Sequence, residues 1–219
     1  MTTASRENYL KHVYRRQQSG EAAVSTGQLA DDLGVAPASV TGMVKSLLEA
    51  GLVEYEPYRG VRLSGPGERI ALDVIRRHRL IELLLVEKLG VDWSEVHEDA
   101  EALEHAVSDR LLERIDRFLG FPRVDPHGDP IPDARGRLRK RALRTLAEQQ
   151  AGKRVRVVRV GDQDAPFLKY LDRVGLRPGA EVQVNAIDAP AQVMRLAVEA
   201  GEQITLARSA AAKLLVEVV

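Results

Sequence analysis

Residues 25–51 read STGQLADDLGVAPASVTGMVKSLLEAG, and this stretch has the spacing of two helices joined by a short turn. Ser25 is a preferred helix-capping residue, and the helix that it starts, predicted over Thr26–Leu33, ends at Gly34. Pro37 is tolerated in a first helical turn, so a second helix is predicted to begin there. Small and aliphatic side chains would pack between the two helices: Leu29, Ala30, Leu33, Val40, Val44 and Leu47. The pattern is typical of a helix-turn-helix unit.

Flanking segments would complete a winged domain around this unit. Apolar residues recur at helical spacing in residues 5–18, and Leu52–Tyr55 and Val61–Leu63 are strand candidates joined by a turn. The second helix of such a unit enters the DNA major groove by its N-terminal residues. The DNA-contact candidates are Ala38, Ser39, Thr41 and Lys45 on that helix and Tyr58, Arg59 and Arg62 on the wing. The helix candidates are mostly small, which predicts modest base readout and many phosphate contacts. The alternative is an ordinary helical hairpin packed on two strands.

The composition limits the class of protein. Basic and acidic residues balance at 32 each, so DNA binding must come from a local arrangement of charge. The absence of cysteine excludes disulfides and thiolate metal sites. No apolar run approaches the roughly 18 residues of a membrane-spanning helix, and no apolar signal core lies near the N-terminus. A soluble cytoplasmic protein without membrane association is therefore expected.

The remainder of the 219-residue chain predicts a helical region followed by a small β unit. Long helices are predicted over about residues 66–88 and 94–119. Proline and glycine concentrate in residues 121–137, which predicts a loop, and residues 137–150 are a short helix candidate. From residue 153 onward, short valine-rich segments alternate with charged residues, as in a small all-β domain.

Histidines and carboxylates recur on one face of both long predicted helices. The metal-ligand candidates are His78 and Glu82 on the first helix and His97, Glu101, Glu104 and His105 on the second. At 100° per residue, the four on the second helix form a stripe of about 100° beside its apolar face. Partly buried carboxylates and imidazoles are costly unless a cation neutralises them, which favours a metal site. A solvated face of salt bridges is the alternative. His12 is interpreted as a helix-surface residue and His127 as a loop residue rather than a ligand.

Together these motifs resemble the diphtheria toxin repressor family of iron- and manganese-dependent regulators. The matching stretches are VTGMV at 40–44, GLV at 51–53, YRG at 58–60, RHRLIE at 77–82, VHEDAE at 96–101 with EH at 104–105, and HGDPIP at 127–132. Residues 153–219, with GLRPGAEV at 175–182, resemble the small Src-homology-type β-barrel of the longer members. The implied fold is mainly α with small β elements. It places a winged helix-turn-helix domain at 1–74, a helical dimerisation and metal-binding domain at 75–150, and the barrel at 151–219.

The resemblance implies two metal sites in each subunit. By position, the primary site would use Asn8, Glu101, Glu104 and His105, and the ancillary site would use His78, Glu82, His97 and either Gln163 or Asp164 of the barrel. The iron branch has methionine and cysteine at the positions of Asn8 and Glu101, and the oxygen ligands found here favour Mn(II), with Fe(II) as the alternative. The manganese branch has carboxylates in helix one where this chain has Asn8 and Lys11. Two separate ions are therefore expected rather than a closely spaced pair.

The expected function is that of a metal-dependent repressor of metal-transport genes, which would bind a palindromic operator in double-stranded DNA as a homodimer. Two alternatives remain at the level of sequence. In a metal-independent winged-helix regulator, the carboxylates would form salt bridges only. A hydrolytic metalloenzyme would use a His/Glu site to activate water, but no separate general base or substrate-binding motif accompanies the histidines, so no enzyme activity is expected.

Overall fold

The computed structural model describes residues 3–56, 58–139, 141–198 and 201–219. Contacts within the chain divide it into two compact units. The first unit comprises Met1–His78, Glu104–Ser108 and Pro132–Leu138, and the second comprises Arg79–Leu103, Asp109–Ile131 and Arg139–Val219. The predicted domain boundaries at residues 74 and 150 stay predictions.

The first unit contains the winged helix-turn-helix domain. Its elements are α1 (Ala4–Gln18), α2 (Thr26–Leu33), α3 (Pro37–Glu49) and the antiparallel strands β1 (Val53–Glu56) and β2 (Gly60–Leu63). The apolar faces of the three helices meet in one core, where Leu10, Leu29 and Val40 are fully buried. The predicted helices and strands of this region are confirmed to within one or two residues. Pro57, part of the predicted wing turn, lies outside the described residues.

Local sequence signals determine where these elements begin and end. Ser25 and Gln28 form a reciprocal capping box, in which the Gln28 amide donates to Ser25 Oγ over 3.2 Å and the Ser25 amide donates to Gln28 Oε1 over 2.9 Å. Gly34 ends α2 in the left-handed conformation, with a φ of 62°. Gly60 is required at the start of β2, because its φ is 112° and a Cβ there would lie 2.2 Å from the Val24 carbonyl oxygen.

Three further helices follow the wing: α4 (Gly65–Leu89), α5 (Val96–Glu104) and α6 (Asp109–Phe118). The single helix predicted over residues 94–119 is wrong, because residues 105–108 interrupt it. Ser108 and Asp109 are residue types that favour a helix N-terminus, which explains why a new helix begins there. Among the helices that the structure describes, none combines the length and the apolar character needed to cross a membrane.

The C-terminal part of the second unit is an antiparallel sheet with six strands in the described residues. They are β3 (Arg144–Thr145), β4 (Arg154–Val160), β5 (Glu181–Asp188), β6 (Val193–Ala197), β7 (Gln203–Ala207) and β8 (Leu214–Val218), in the order β3-β8-β4-β5-β6-β7. Alternate residues of β4 and β5 are buried in one apolar core together with Trp93. The predicted small β domain is confirmed.

Two segments of this region differ from the prediction. The short helix predicted over residues 137–150 is wrong, since the segment holds β3 and a single 3-10 turn at Leu146–Glu148. Thr145 and Glu148 form a capping box that begins this tight turn, and an extended strand precedes it. Two helices were not predicted, the longer α7 (Ala165–Arg173) and the one-turn α8 (Arg208–Ala211). Asp164 caps the N-terminus of α7, and its carboxylate accepts a hydrogen bond from the Phe167 amide.

Candidate metal centre and nucleic-acid interface

The face of α3 that carries the predicted DNA contacts is exposed. The exposed residues are Ala38, Ser39, Thr41 and Lys45, and the buried residues of the opposite face are Val40, Val44 and Leu47. The Thr41 hydroxyl donates to the Pro37 carbonyl oxygen over 3.1 Å. Ala38, Ser39 and Thr41 are small and would let the helix backbone approach DNA closely. The assignment of individual DNA contacts stays a prediction.

The wing presents an exposed tyrosine and two paired arginines. Tyr58 is fully exposed at the turn, with a φ of 65°. Arg62 Nη2 lies 2.5 Å from Glu54 Oε2, and Arg59 Nη1 lies 3.5 Å from Glu56 Oε2. These exposed ion pairs are weak, so a DNA phosphate could replace either carboxylate at small cost.

The first unit gathers six polar side chains that we call the first cluster: Glu7, Asn8, Lys11, His78, Glu104 and His105. The helix α1 supplies the first three and α4 supplies His78. Glu104 ends α5, and His105 follows directly after it. The interruption between α5 and α6 therefore places His105 beside α1.

His105 contacts α1 through both of its ring nitrogens. Nδ1 lies 2.7 Å from Glu7 Oε2, and Nε2 lies 2.7 Å from Asn8 Oδ1. Nε2 also lies 3.3 Å from Glu104 Oε1. Carboxylate, amide and imidazole donors thus converge in a small volume, and this mixed oxygen and nitrogen set suits Mn(II) or Fe(II).

Glu104 is the most deeply buried member of the first cluster, at 0% exposure. Its Oε1 lies 2.5 Å from Lys11 Nζ, and its Oε2 lies 2.7 Å from His78 Nδ1. Burial raises the pKa of Glu104, but the hydrogen bond to His78 and the charge of Lys11 lower the pKa by more, and the net shift is downward. Glu104 is therefore held as a carboxylate, the form that ligates metals.

The structure brings together three of the four predicted primary ligands, which are Asn8, Glu104 and His105. Glu101 belongs to the second unit, where its Oε1 lies 3.5 Å from His97 Nε2. His78, which was predicted as an ancillary ligand, contacts Glu104; its grouping with Glu82 and His97 stays a prediction.

Sequence reasoning missed Glu7. The family pattern pointed to Asn8 only, and Glu7 beside it is rotated by 100° around the helix. The available signal was that Glu7 is the only acidic residue of α1.

A second cluster lies in the second unit and consists of Glu82, Asp125 and His127, all buried, whose ligand atoms lie within 4.8 Å of one another. His127 Nε2 lies 2.8 Å from the Trp93 carbonyl oxygen, which can only accept, so Nε2 carries a proton. In the neutral ring, Nδ1 then presents a lone pair 3.8 Å from Glu82 Oε2. His127 Nδ1 and Asp125 Oδ2 are both buried without a hydrogen-bond partner.

The electrostatics of the second cluster favour a bound cation. Burial raises the pKa of Asp125 well above its ordinary value, and the carboxylates of Asp129 and Glu82 raise the pKa further. Arg79 opposes this shift, with Nε 3.5 Å from Asp125 Oδ2. A divalent ion would compensate both carboxylates and satisfy the imidazole lone pair, so these residues fit a metal site.

The other predicted ancillary ligands are placed as follows. His97 Nδ1 lies 3.3 Å from Glu82 Oε1, so Glu82 has one oxygen near His97 and the other near His127. Gln163 donates to Asp129 Oδ2 over 3.0 Å, and Asp164 caps α7. The ligand roles of Gln163 and Asp164 stay predictions.

Asp125 and His127 were missed as candidate ligands. His127 does lie in a loop, as predicted, but its ring is buried and stacks on Trp93 with ring centroids 5.5 Å apart. The available signal was the spacing of the loop sequence DPHGD at 125–129, in which a histidine lies two residues from an acid on either side.

Comparison with known proteins decides the family. Residues 1–61 match the N-terminal DNA-binding domain of iron-dependent repressors, residues 65–133 match their metal-binding and dimerisation domain, and residues 144–218 match the FeoA domain. The chain is 30% identical over 226 residues to the iron-dependent repressor IdeR of Mycobacterium leprae, an alignment that covers 96% of each chain. The chain belongs to the iron-dependent repressor family.

Manganese-dependent members of the family are also similar to this repressor. It is 37% identical over 122 residues to the HTH-type transcriptional regulator MntR of Bacillus pumilus, covering 55% of this chain and 83% of MntR. A solved structure of a manganese-dependent transcriptional repressor in complex with manganese superposes with a TM-score of 0.86 at 38% identity, covering 98% of this chain and 100% of the other. The chain is therefore a DNA-binding transcriptional regulator, and the hydrolytic alternative is excluded.

Proposed function

We propose that this repressor responds to Mn(II), with Fe(II) as the alternative ion, and that it controls metal-transport genes by binding a palindromic operator as a homodimer. One observation carries the proposal: His105 hydrogen-bonds to Glu7 and Asn8 of α1. α1 shares a core with α2 and α3, the helix-turn-helix pair. A change of ligation at His105 would therefore act directly on the helices that hold α3 against DNA. We infer that the protein acts in the cytoplasm, where a repressor would meet its operator.

The ligand chemistry supports the choice of ion. Glu7, Asn8 and Glu104 offer oxygen, His105 offers nitrogen, and the chain contains no cysteine. Hard oxygen donors suit Mn(II), whereas thiolate sulfur would favour softer ions. Zn(II) should still bind more tightly than Mn(II) by the Irving–Williams order, so selectivity must come from which ion produces the DNA-binding geometry.

The proposed ligands fall into two separate sets. Asn8, Glu104 and His105, with Glu7, would hold the primary ion. Glu82 with Asp125 and His127 would hold a second ion, and His97 lies beside that set. The remaining candidates from the family pattern are His78, Glu101, Gln163 and Asp164.

A second candidate function is metal-independent DNA binding. The Lys11 ammonium already pairs with Glu104, so part of the first cluster is neutralised by the protein itself. If this pair alone held α1 in place, the chain would bind its operator equally well with and without metal.

The test is operator binding as a function of metal. A palindromic fragment selected by the chain from random DNA in the presence of Mn(II) would be labelled and titrated with chelator-treated protein, using fluorescence anisotropy. Mn(II), or Fe(II) without oxygen, should raise the affinity, and His105→Ala should abolish that increase without dissociating the dimer. His12→Ala removes a histidine of α1 that is not a member of the first cluster, and it is the matched control.

Three outcomes would contradict the proposal. An unchanged Mn(II) response of His105→Ala would exclude the first cluster as the sensor. Equal affinity of the wild-type chain in chelator and in Mn(II) would favour the metal-independent alternative. Activation by Zn(II) alone would exclude Mn(II) and Fe(II) as the regulating ions.

A further inference from the structure

Lys11 is a buried cation inside a group of metal-ligand residues. Its side chain is 1% exposed, and Nζ lies 2.5 Å from Oε1 of Glu104, whose side chain is 0% exposed. The same Oε1 lies 3.3 Å from His105 Nε2. The ammonium therefore shares a carboxylate oxygen with the histidine that connects the cluster to α1.

The position of Lys11 is also one that a metal ion would take. A cation that approached Glu104 from the side of α1 would meet the oxygen that the ammonium already contacts. A buried ammonium is costly to leave without a carboxylate, so Lys11 is held in this place by the low polarity around it. Like charges a few ångströms apart repel strongly in such surroundings.

The charge balance of the first cluster also disfavours a second cation. Glu7 and Glu104 contribute two negative charges and Lys11 one positive charge. A single divalent ion already exceeds the remaining negative charge. A second ion would add two more positive charges to a largely buried site, although the number of donor atoms alone would allow two ions.

We infer that Lys11 sets the metal stoichiometry of the first cluster: its ammonium takes one cation position on Glu104, so the cluster accepts one divalent ion and not an adjacent pair. The inference rests on the proposed function, since it requires a metal at this cluster. Lys11 is here a specificity residue that acts through Glu104 and does not itself ligate the ion.

The experiment counts Mn(II) ions in a Glu82→Ala background, which removes the carboxylate that the second cluster shares with His97. Equilibrium dialysis gives the number bound, and Mn(II) electron paramagnetic resonance distinguishes isolated ions from an exchange-coupled pair. We expect one isolated ion per chain in the background. Lys11→Glu should bind two ions with a coupled signal, whereas Lys11→Arg, which keeps the charge, should bind one. Lys153→Glu makes the same charge change at an exposed site and should also bind one.

Each outcome decides the inference. A coupled pair in the background protein, or a single ion in folded Lys11→Glu, would overturn it. If circular dichroism shows that Lys11→Glu does not fold, Lys11→Gln replaces it. Lys11→Gln should bind its first Mn(II) ion roughly tenfold more tightly than the background protein, because no ammonium competes for Glu104. Unchanged affinity would overturn the inference. Absence of Mn(II) from the cluster in every variant would refute the proposed function, and the inference with it.

Discussion

Loss of the Glu104 carboxylate should destabilise the metal-free protein far more than loss of an exposed carboxylate with the same ion-pair distance. Lys11 Nζ and Glu104 Oε1 are 2.5 Å apart, with side-chain exposures of 1% and 0%. Lys169 Nζ and Glu95 Oε1 are also 2.5 Å apart, with exposures of 56% and 60%. The two pairs differ in burial and not in distance, so they form a matched comparison.

The expected magnitudes follow from that difference. Glu104→Ala removes the carboxylate that pairs with the buried Lys11 ammonium, and breaking a buried ion pair typically costs about 3–5 kcal/mol of unfolding free energy. Glu95→Ala leaves Lys169 in water and should cost about 0–1 kcal/mol. The double variant Lys11→Met with Glu104→Gln buries no charge, and the glutamine oxygen can still accept from His78. The double variant should therefore recover more than half of the loss seen in Glu104→Ala.

The measurement is urea unfolding followed by circular dichroism in the presence of a chelator, so that metal binding does not contribute. Comparison is valid if the slope of free energy against urea is the same in all variants. A loss below about 1 kcal/mol in Glu104→Ala, or one equal to that of Glu95→Ala, would show that water reaches Lys11 in solution. That result would remove the basis for a fixed ammonium in the first cluster.

Three further predictions test other features. Trp93, the only tryptophan in the sequence, stacks on His127 with ring centroids 5.5 Å apart. Paramagnetic Mn(II) bound at the second cluster should therefore quench tryptophan fluorescence in the wild type but not in His127→Ala. Equal quenching in both proteins would place the ion elsewhere. Gly128→Ala should lower the free energy of unfolding in urea by about 3 kcal/mol or more, and Gly179→Ala by about 1 kcal/mol. Both glycines have a positive φ, but of the two only Gly128 would place a Cβ 2.0 Å from a backbone oxygen. Equal losses in the two variants would contradict this packing. A hydrogen bond from Arg16 lowers the pKa of Asp32. The ionised Asp32 therefore adds to the stability of the fold above the ordinary pKa of a carboxyl, and this contribution is lost as pH falls through the lowered pKa. Asp32→Asn should weaken this acid dependence in thermal melts, and an unchanged pH profile would count against the bond.

The parts of the fold that sequence predicted well are determined by contacts between residues close in the chain. The capping box at Ser25 and Gln28 and the left-handed Gly34 lie within ten residues of each other, and each defines an end of α2. The valine alternation of β4 likewise reports a sheet with one buried face. Family resemblance then supplied the order of the domains.

The predictions that failed concern features that depend on contacts between segments far apart in the sequence. The helical pattern over residues 94–119 is continuous and gave no reason to end α5 at Glu104. The break is stabilised by hydrogen bonds from His105 to Glu7 and Asn8, which lie nearly a hundred positions earlier in the chain. The same holds for the second cluster, where a loop residue, His127, is buried against Trp93. Spacing along one helix cannot reveal a ligand that arrives from another segment.

The two clusters are connected to different parts of the protein, and this difference bears on what each ion would do. The first cluster includes three residues of α1, which packs against the reading helices, so its occupancy would bear on DNA binding. The second cluster includes His127, which stacks on Trp93, and Trp93 belongs to the core of the β sheet and lies 5.0 Å from the Arg177 guanidinium. An ion at the second cluster would replace repulsion between buried carboxylates with attraction at the base of that core. Its main effect would be to stabilise the second unit, while the first cluster would govern affinity for the operator.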